Sequence, residues 1–243
     1  MRLSYFVFSI FFMISYGLSA QSLTGTNGLF KIPSAYIATD GVSYVGASFL
    51  PKGYYNLYDA GDQFTGMPTF VTLSLYNRIE FMFRYTHQLG QNVNPQTKYF
   101  PDRMFTLRCN ILKEGRSFPS LTLGLHDVSE ALGGTSASPW FLSAYIVGSK
   151  SFHSEIINAS ATLGYAPDII DSFRKPVFKG LFAGFEFSSP VLPFLSVVGE
   201  YDSNHFNASI KTTFFDHLHM SVGLIDMQAL AGFVTYRFNL SNR

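Results

Sequence analysis

Arg78-Ile79-Glu80-Phe81-Met82-Phe83-Arg84-Tyr85-Thr86-His87 alternates between two kinds of side chain. Ile79, Phe81, Phe83 and Tyr85 occupy every second position, with Glu80, Met82, Arg84 and Thr86 between them. A two-residue period is that of a β-strand with two unlike faces. Two folds accept such a strand. A soluble sandwich turns the aromatics inward and shows Glu80 and Arg84 to water. A membrane barrel turns the aromatics to lipid and keeps the charges in a wet lumen.

The alternation continues along the chain. Phe105, Leu107, Cys109 and Ile111 oppose Thr106, Arg108 and Asn110. Ile157, Ala159, Ala161, Leu163 and Tyr165 oppose Asn158, Ser160, Thr162 and Gly164. Phe206, Ala208, Ile210 and Phe214 oppose Asn207, Ser209, Lys211 and Thr213, and Val234, Tyr236, Phe238 and Leu240 oppose Thr235, Arg237 and Asn239. About twelve strands are expected, near 42–50, 68–76, 78–87, 102–112, 119–128, 141–150, 155–166, 180–188, 194–202, 205–214, 217–225 and 228–240. Several have the length that a tilted strand needs to cross a bilayer, about ten residues. An even number returns the chain to the side on which it began.

The connections favour the barrel. Pro51 to Gly66, Gln88 to Pro101, Ser129 to Pro139 and Pro167 to Lys179 are long. The turns between them, at Asn77, Lys113 to Phe118, Ser151 to Ser154 and Ser189 to Pro193, are short. Outer-membrane barrels sort their loops in this way, and a sandwich has no reason to. The last strand, with Tyr236, Phe238 and Leu240 on one face, resembles the terminal strand read by barrel assembly machinery.

Composition agrees. The 243 residues are 47% hydrophobic and 17% aromatic but only 14% charged, where a soluble domain carries about 25%. A formal net charge of +1, with no block of like charges, argues against a nucleic-acid partner, which needs clustered Lys and Arg. Arg2, the apolar run Leu3 to Tyr16 and the small residues Gly17, Ser19 and Ala20 form a signal peptide, with cleavage expected after Ala20. The run is too short for a spanning helix. Cys109 is the one cysteine, so no internal disulfide forms, and on the barrel reading it faces lipid. The expected organisation is a signal peptide over 1–20, a periplasmic segment over 21–41 and the barrel over 42–240. The alternative placement of Gln21 to Asp40 is inside the lumen.

Gly28-Leu29-Phe30-Lys31-Ile32-Pro33-Ser34-Ala35, closing on Asp40-Gly41, resembles the opening of bacterial YjbH-type proteins of exopolysaccharide biosynthesis. Arg84-Tyr85-Thr86, Asp102-Arg103-x-Phe105, Leu112-x-Glu114, Pro119, Gly124-Leu125-x-Asp127 and Ser149-Lys150 are similar to later motifs of that family, in the same order. Gly133-Gly134-Thr135 and Ser138-Pro139-Trp140-Phe141 depart from it. Members are commonly longer, with more than one barrel-like region. The resemblance implies an outer-membrane location in a Gram-negative cell and a link to polysaccharide secretion.

The inward charges Glu80, Arg84, Arg108, Glu186, Glu200, Lys211 and Arg237 are the lumen-lining candidates. Both signs occur, which suits either a polar channel or an ion-pair network that plugs the lumen. His217 and His219 share a face at i, i+2 but lack a third metal ligand. His126, Asp127 and Ser129 lack a nucleophile-elbow pattern. Tyr54, Tyr55 and Tyr58 suit an interfacial belt or sugar stacking. The sequons at Asn158 and Asn207 lie within strands and read as chance matches. No catalytic residue, cofactor or metal is expected. The reading is a non-enzymatic outer-membrane barrel that assists exopolysaccharide export or assembly, with a pore as one form of that role. Its partners are outer-membrane lipid, the barrel assembly machinery, polysaccharide and periplasmic export proteins. The alternatives are a docking barrel with a plugged lumen and a lipid-modifying barrel enzyme.

Overall fold

The structure is a computed structural model that describes residues 21–52, 54, 65–89, 102–128, 143–168 and 179–240. Residues 1–20, Tyr55, Tyr58, Ser129, Gly133-Gly134-Thr135, Ser138 to Phe141 and most of the four long connections lie outside the described residues. Twelve strands form: β1 (Val42–Phe49), β2 (Thr65–Leu75), β3 (Ile79–Leu89), β4 (Asp102–Leu112), β5 (Ser120–His126), β6 (Ser143–His153), β7 (Asn158–Ala166), β8 (Gly180–Ser189), β9 (Leu192–Tyr201), β10 (Phe206–Phe214), β11 (Leu218–Ile225) and β12 (Ala229–Asn239). Each pairs antiparallel with its neighbours in sequence, and β12 closes on β1 from Val42↔Asn239 to Phe49↔Gly232. The expected all-β antiparallel barrel is therefore the fold. Closure leaves no unpaired strand edge.

The outer face is apolar around the circumference. Val45 pairs with Val71, Val71 with Phe83 and Phe83 with Phe105, and on the far wall Val197 pairs with Ile210 and Ile210 with Val222. All of these side chains are exposed. Cys109 lies on the same outer face. Most inward positions are instead Ser, Thr, Asn, Glu, Arg and Lys, with apolar residues such as Phe70, Met82, Tyr145 and Phe182 among them, and they are buried. Such an inversion of the soluble pattern needs an apolar solvent outside.

Short turns gather at one end. Arg78 N–H donates to Leu75 O, and His217 N–H to Phe214 O, across the two-residue turns Tyr76-Asn77 and Phe215-Asp216. All four turn residues have φ between 53° and 59°, the left-handed pair that matches the twist of a hairpin.

Two cross-strand pairs set glycine against an aromatic ring, Gly124 against Tyr145 and Gly164 against Phe182. A Cβ on Gly164 would lie 2.1 Å from Phe182 Cζ, and one on Gly124 equally close to Tyr145 Cζ. Valine is favoured in strands, yet Gly164→Val is expected to destabilise the barrel by about 1–3 kcal/mol through overpacking. Urea unfolding of the refolded variant checks this.

Candidate functional site

The interior is occupied by the chain's own N-terminal segment. Gln21 to Ala35 folds back on itself, with antiparallel bridges at Gln21↔Asn27 and Gly28↔Pro33. Gly25 N–H donates to Ser22 O at 3.0 Å, Leu29 N–H to Ile32 O at 2.9 Å and Leu23 N–H to Phe30 O at 2.7 Å. Gly25 has φ +94°, and a Cβ there would lie 2.6 Å from the Phe70 ring. A side chain at this point would be strained by backbone and wall alike.

The apolar residues of the segment complete the core. Leu23, Leu29, Phe30, Ile32 and Ala35 cluster with Tyr145, Val147, Phe182, Val198, Ile225 and Phe233 of the wall. Full burial of a side chain such as Leu, Ile or Phe is worth about 1.5–3 kcal/mol. Residues 21–35 are therefore a plug inside the barrel. The segment expected in the periplasm lies instead in the lumen over residues 21–35, where its apolar side chains find their partners. Tyr54 is half-buried and packs against the same cluster.

Polar contacts fix the plug in register. Glu200 accepts from three successive backbone N–H groups, Phe30 at 3.0 Å, Lys31 at 2.8 Å and Ile32 at 3.3 Å, and also from Asn207 Nδ2. Arg108 Nη1 donates to Glu80 Oε1 at 2.7 Å and to Asn27 O at 3.0 Å, while its Nη2 donates to Ser34 O. Lys211 Nζ donates to Gly28 O at 2.8 Å and pairs with Glu186 at 3.2 Å. Lys31 reaches Asp202. Ser48, Thr72, Thr122 and Ser149 hold further backbone groups of the segment. The grip extends over β1 to β6, β9 and β10.

Of the sequence candidates, Glu80, Arg84, Arg108, Glu186, Glu200 and Lys211 are all buried on the inward face. Arg237 is half-buried beside the turn end, paired in register with Tyr44. His217 and His219 do not share a face: His217 sits in the turn and stacks on Tyr236, whereas His219 is enclosed and bonded to Thr213. Among the described residues no group of three His, Cys, Asp or Glu could hold a metal. His126 is enclosed and shares a 2.8 Å hydrogen bond with Thr106. Asn158 and Asn207, the two sequon residues, are buried.

A second cluster ties the segment down where it leaves the barrel. Tyr36 Oη donates to Glu114 at 2.8 Å, and Lys150 and Ser151 bind the same carboxylate at 2.9 and 2.7 Å. Asp40 Oδ1 accepts from Tyr76 N–H at 2.6 Å, which fixes the segment to the adjoining turn. Sequence reading missed Lys31, Tyr36, Glu114 and Asp202 as site residues. The one hint was that the Gly28 to Ala35 motif lies outside every strand.

Burial works against the Glu114 charge, but hydrogen bonds from Ser151, Lys150 and Tyr36 outweigh it and hold the carboxyl below its usual range. A depressed folded pKa contributes stability above the unfolded value, about 4.3, and loses it as pH falls through the folded one. The urea midpoint of the wild type is expected to drop between about pH 7 and about pH 3. Glu114→Gln should remove part of that drop while lowering the neutral-pH midpoint.

The family model described as exopolysaccharide biosynthesis protein YbjH matches residues 20–229. The chain belongs to this YjbH family. The match takes in the plug together with β1 to β11. No curated protein matches the chain in sequence. Among solved structures the chain is similar to the COG4313 outer membrane channel of Pseudomonas putida F1, at 11% identity over 84% of this chain and 98% of that one, with a TM-score of 0.38.

Proposed function

We propose that this YjbH-family protein is a non-enzymatic outer-membrane barrel that assists exopolysaccharide export or assembly, exported by a cleaved signal peptide and closed at rest by its own N-terminal segment. The observation that carries the reading is the plug: a polar lumen filled by residues 21–35 and latched through Glu200, Arg108 and Lys211. Backbone groups held by single side chains can be exchanged for water, so movement of the segment would turn a filled barrel into a hydrated one. The apolar outer band supports the membrane location, and family membership supports the tie to exopolysaccharide. Lipid, the barrel assembly machinery, polysaccharide and periplasmic export proteins are its proposed partners.

A docking barrel that stays plugged is the second reading, favoured by the number of walls that grip the segment. A lipid-modifying enzyme has less support, because His126 is enclosed and bonded to Thr106. His126→Ala with unchanged polymer secretion would remove it.

The location is tested by fractionation. The mature protein is expected in the outer-membrane fraction as a heat-modifiable, β-rich species; a soluble periplasmic protein would end the proposal. Loss of surface polymer on deletion of the gene, restored by the wild-type chain, tests the role.

A further inference from the structure

We infer that the mature chain begins at Gln21 and that this glutamine is closed to pyroglutamate, so the barrel encloses a blocked, uncharged N-terminus. The inference rests on the export step of the proposed function. The apolar leader ends in Gly17, Ser19 and Ala20, and the family match begins at residue 20. Cleavage after Ala20 would leave Gln21 at the start of the plug. There Gln21 is 0% exposed and bridges Asn27 within the segment. Its side-chain Nε2 and Oε1 are both buried without a hydrogen-bond partner.

A cleaved but unmodified terminus fits this place poorly. An ammonium and a carboxamide carry five N–H bonds between them, and each one buried unpaired is costly. The bridging partner Asn27 is itself committed, its carbonyl to Arg108 at 3.0 Å, and that guanidinium is paired with Glu80 Oε1 at 2.7 Å. Glu80 Oε2 has no partner, so an ammonium paired with it is the competing state. That state would still leave the carboxamide unsatisfied.

Cyclisation removes the ammonium charge and the orphaned Nε2 within one residue. The neutral α-amine attacks the side-chain carbonyl carbon, forming an N–Cδ bond. The Cδ–Nε2 bond breaks, and the departing nitrogen takes the amine proton to leave as ammonia. No oxidant, reductant or second substrate enters. The five-membered lactam keeps one N–H and one carbonyl and carries no charge. Closure takes place while the segment is still accessible, before the barrel encloses it.

The test is mass spectrometry of the protein extracted from outer membranes, first intact and then after trypsin, which releases Gln21 to Lys31 as one peptide. The main form is expected to be lighter by one ammonia than the unmodified peptide, with the intact chain resistant to Edman degradation. An unmodified Gln21 terminus as the main form overturns the inference and leaves the export reading standing. A peptide that runs on through Ala20 toward Leu3 overturns the inference together with leader cleavage.

Discussion

Deletion of Ser22 to Tyr36 is expected to turn an electrically silent barrel into one that conducts in stepwise events in planar bilayers. The plug supplies Leu23, Leu29, Phe30, Ile32 and Ala35 to the lumen's core, and the inward wall, apart from an apolar patch around Tyr145, Phe182 and Phe233, is largely Ser, Thr, Asn and charged side chains. Such a surface hydrates readily once the segment has gone. A twelve-strand barrel is wider than the eight-strand barrels whose interiors side chains alone can fill. A single substitution gives a graded version of the result. Glu200 takes three consecutive N–H groups of the plug, over sequence separations of 168 to 170 residues. Hydrogen bonds to a charged group are worth about 1.5–3 kcal/mol net, so Glu200→Gln should raise the open fraction about ten- to a hundredfold. Silence from both variants, with each shown to be folded by heat modifiability, would favour the docking barrel over any passage through the lumen.

Arg108→Met is expected to be the most destabilising single change in the interior. Arg108 and Glu80 are 0% and 1% exposed and lie 2.7 Å apart. Removing the guanidinium leaves the Glu80 carboxylate buried without its counter-charge, and it also frees the Asn27 and Ser34 carbonyls of the plug. Breaking one side of a buried pair costs about 3–5 kcal/mol. Most of that cost is the stranded charge, so the double variant Arg108→Met/Glu80→Gln should recover a large part of it. Urea midpoints of the refolded single and double variants decide the matter. A double variant no better than Arg108→Met would mean that the contacts to the plug, not the ion pair, hold the wall.

Much of the barrel was legible in the chain. The alternation around Arg78 to His87 predicts both β3 and the face that each of its residues takes, because a strand's side-chain period is set by the pleat of its own backbone. The same local rule put Glu80, Arg84, Arg108, Glu186, Glu200 and Lys211 on the inner face. It gave less at the ends of strands. β2 begins at Thr65 and includes Pro68 in its ladder opposite Thr86, earlier than the expected start at 68. His217, read as a face-mate of His219, precedes β11 and is exposed in the turn. A period says nothing about residues that leave the ladder.

The candidate site was only half legible, for a related reason. The wall charges could be assigned to the lumen, but the ligand that they hold could not. Residues 21–35 have no strand or helix period, and their composition is equally suited to a tether outside the barrel. Family resemblance marked Gly28 to Ala35 without giving it a place.

The sequence by itself thus determined the class of the protein: a charge-poor, aromatic chain of alternating strands with polar residues turned to one side. Period, strand length and loop rhythm are local properties, and antiparallel meanders need only neighbours in sequence. The tertiary structure alone decided that the barrel is filled and by what. Glu200 meets Lys31 across 169 residues, Lys211 meets Gly28 across 183, and Arg108 meets Asn27 across 81. Those meetings depend on the diameter of a closed ring and on the stagger of its strands, which exist only after β12 has joined β1.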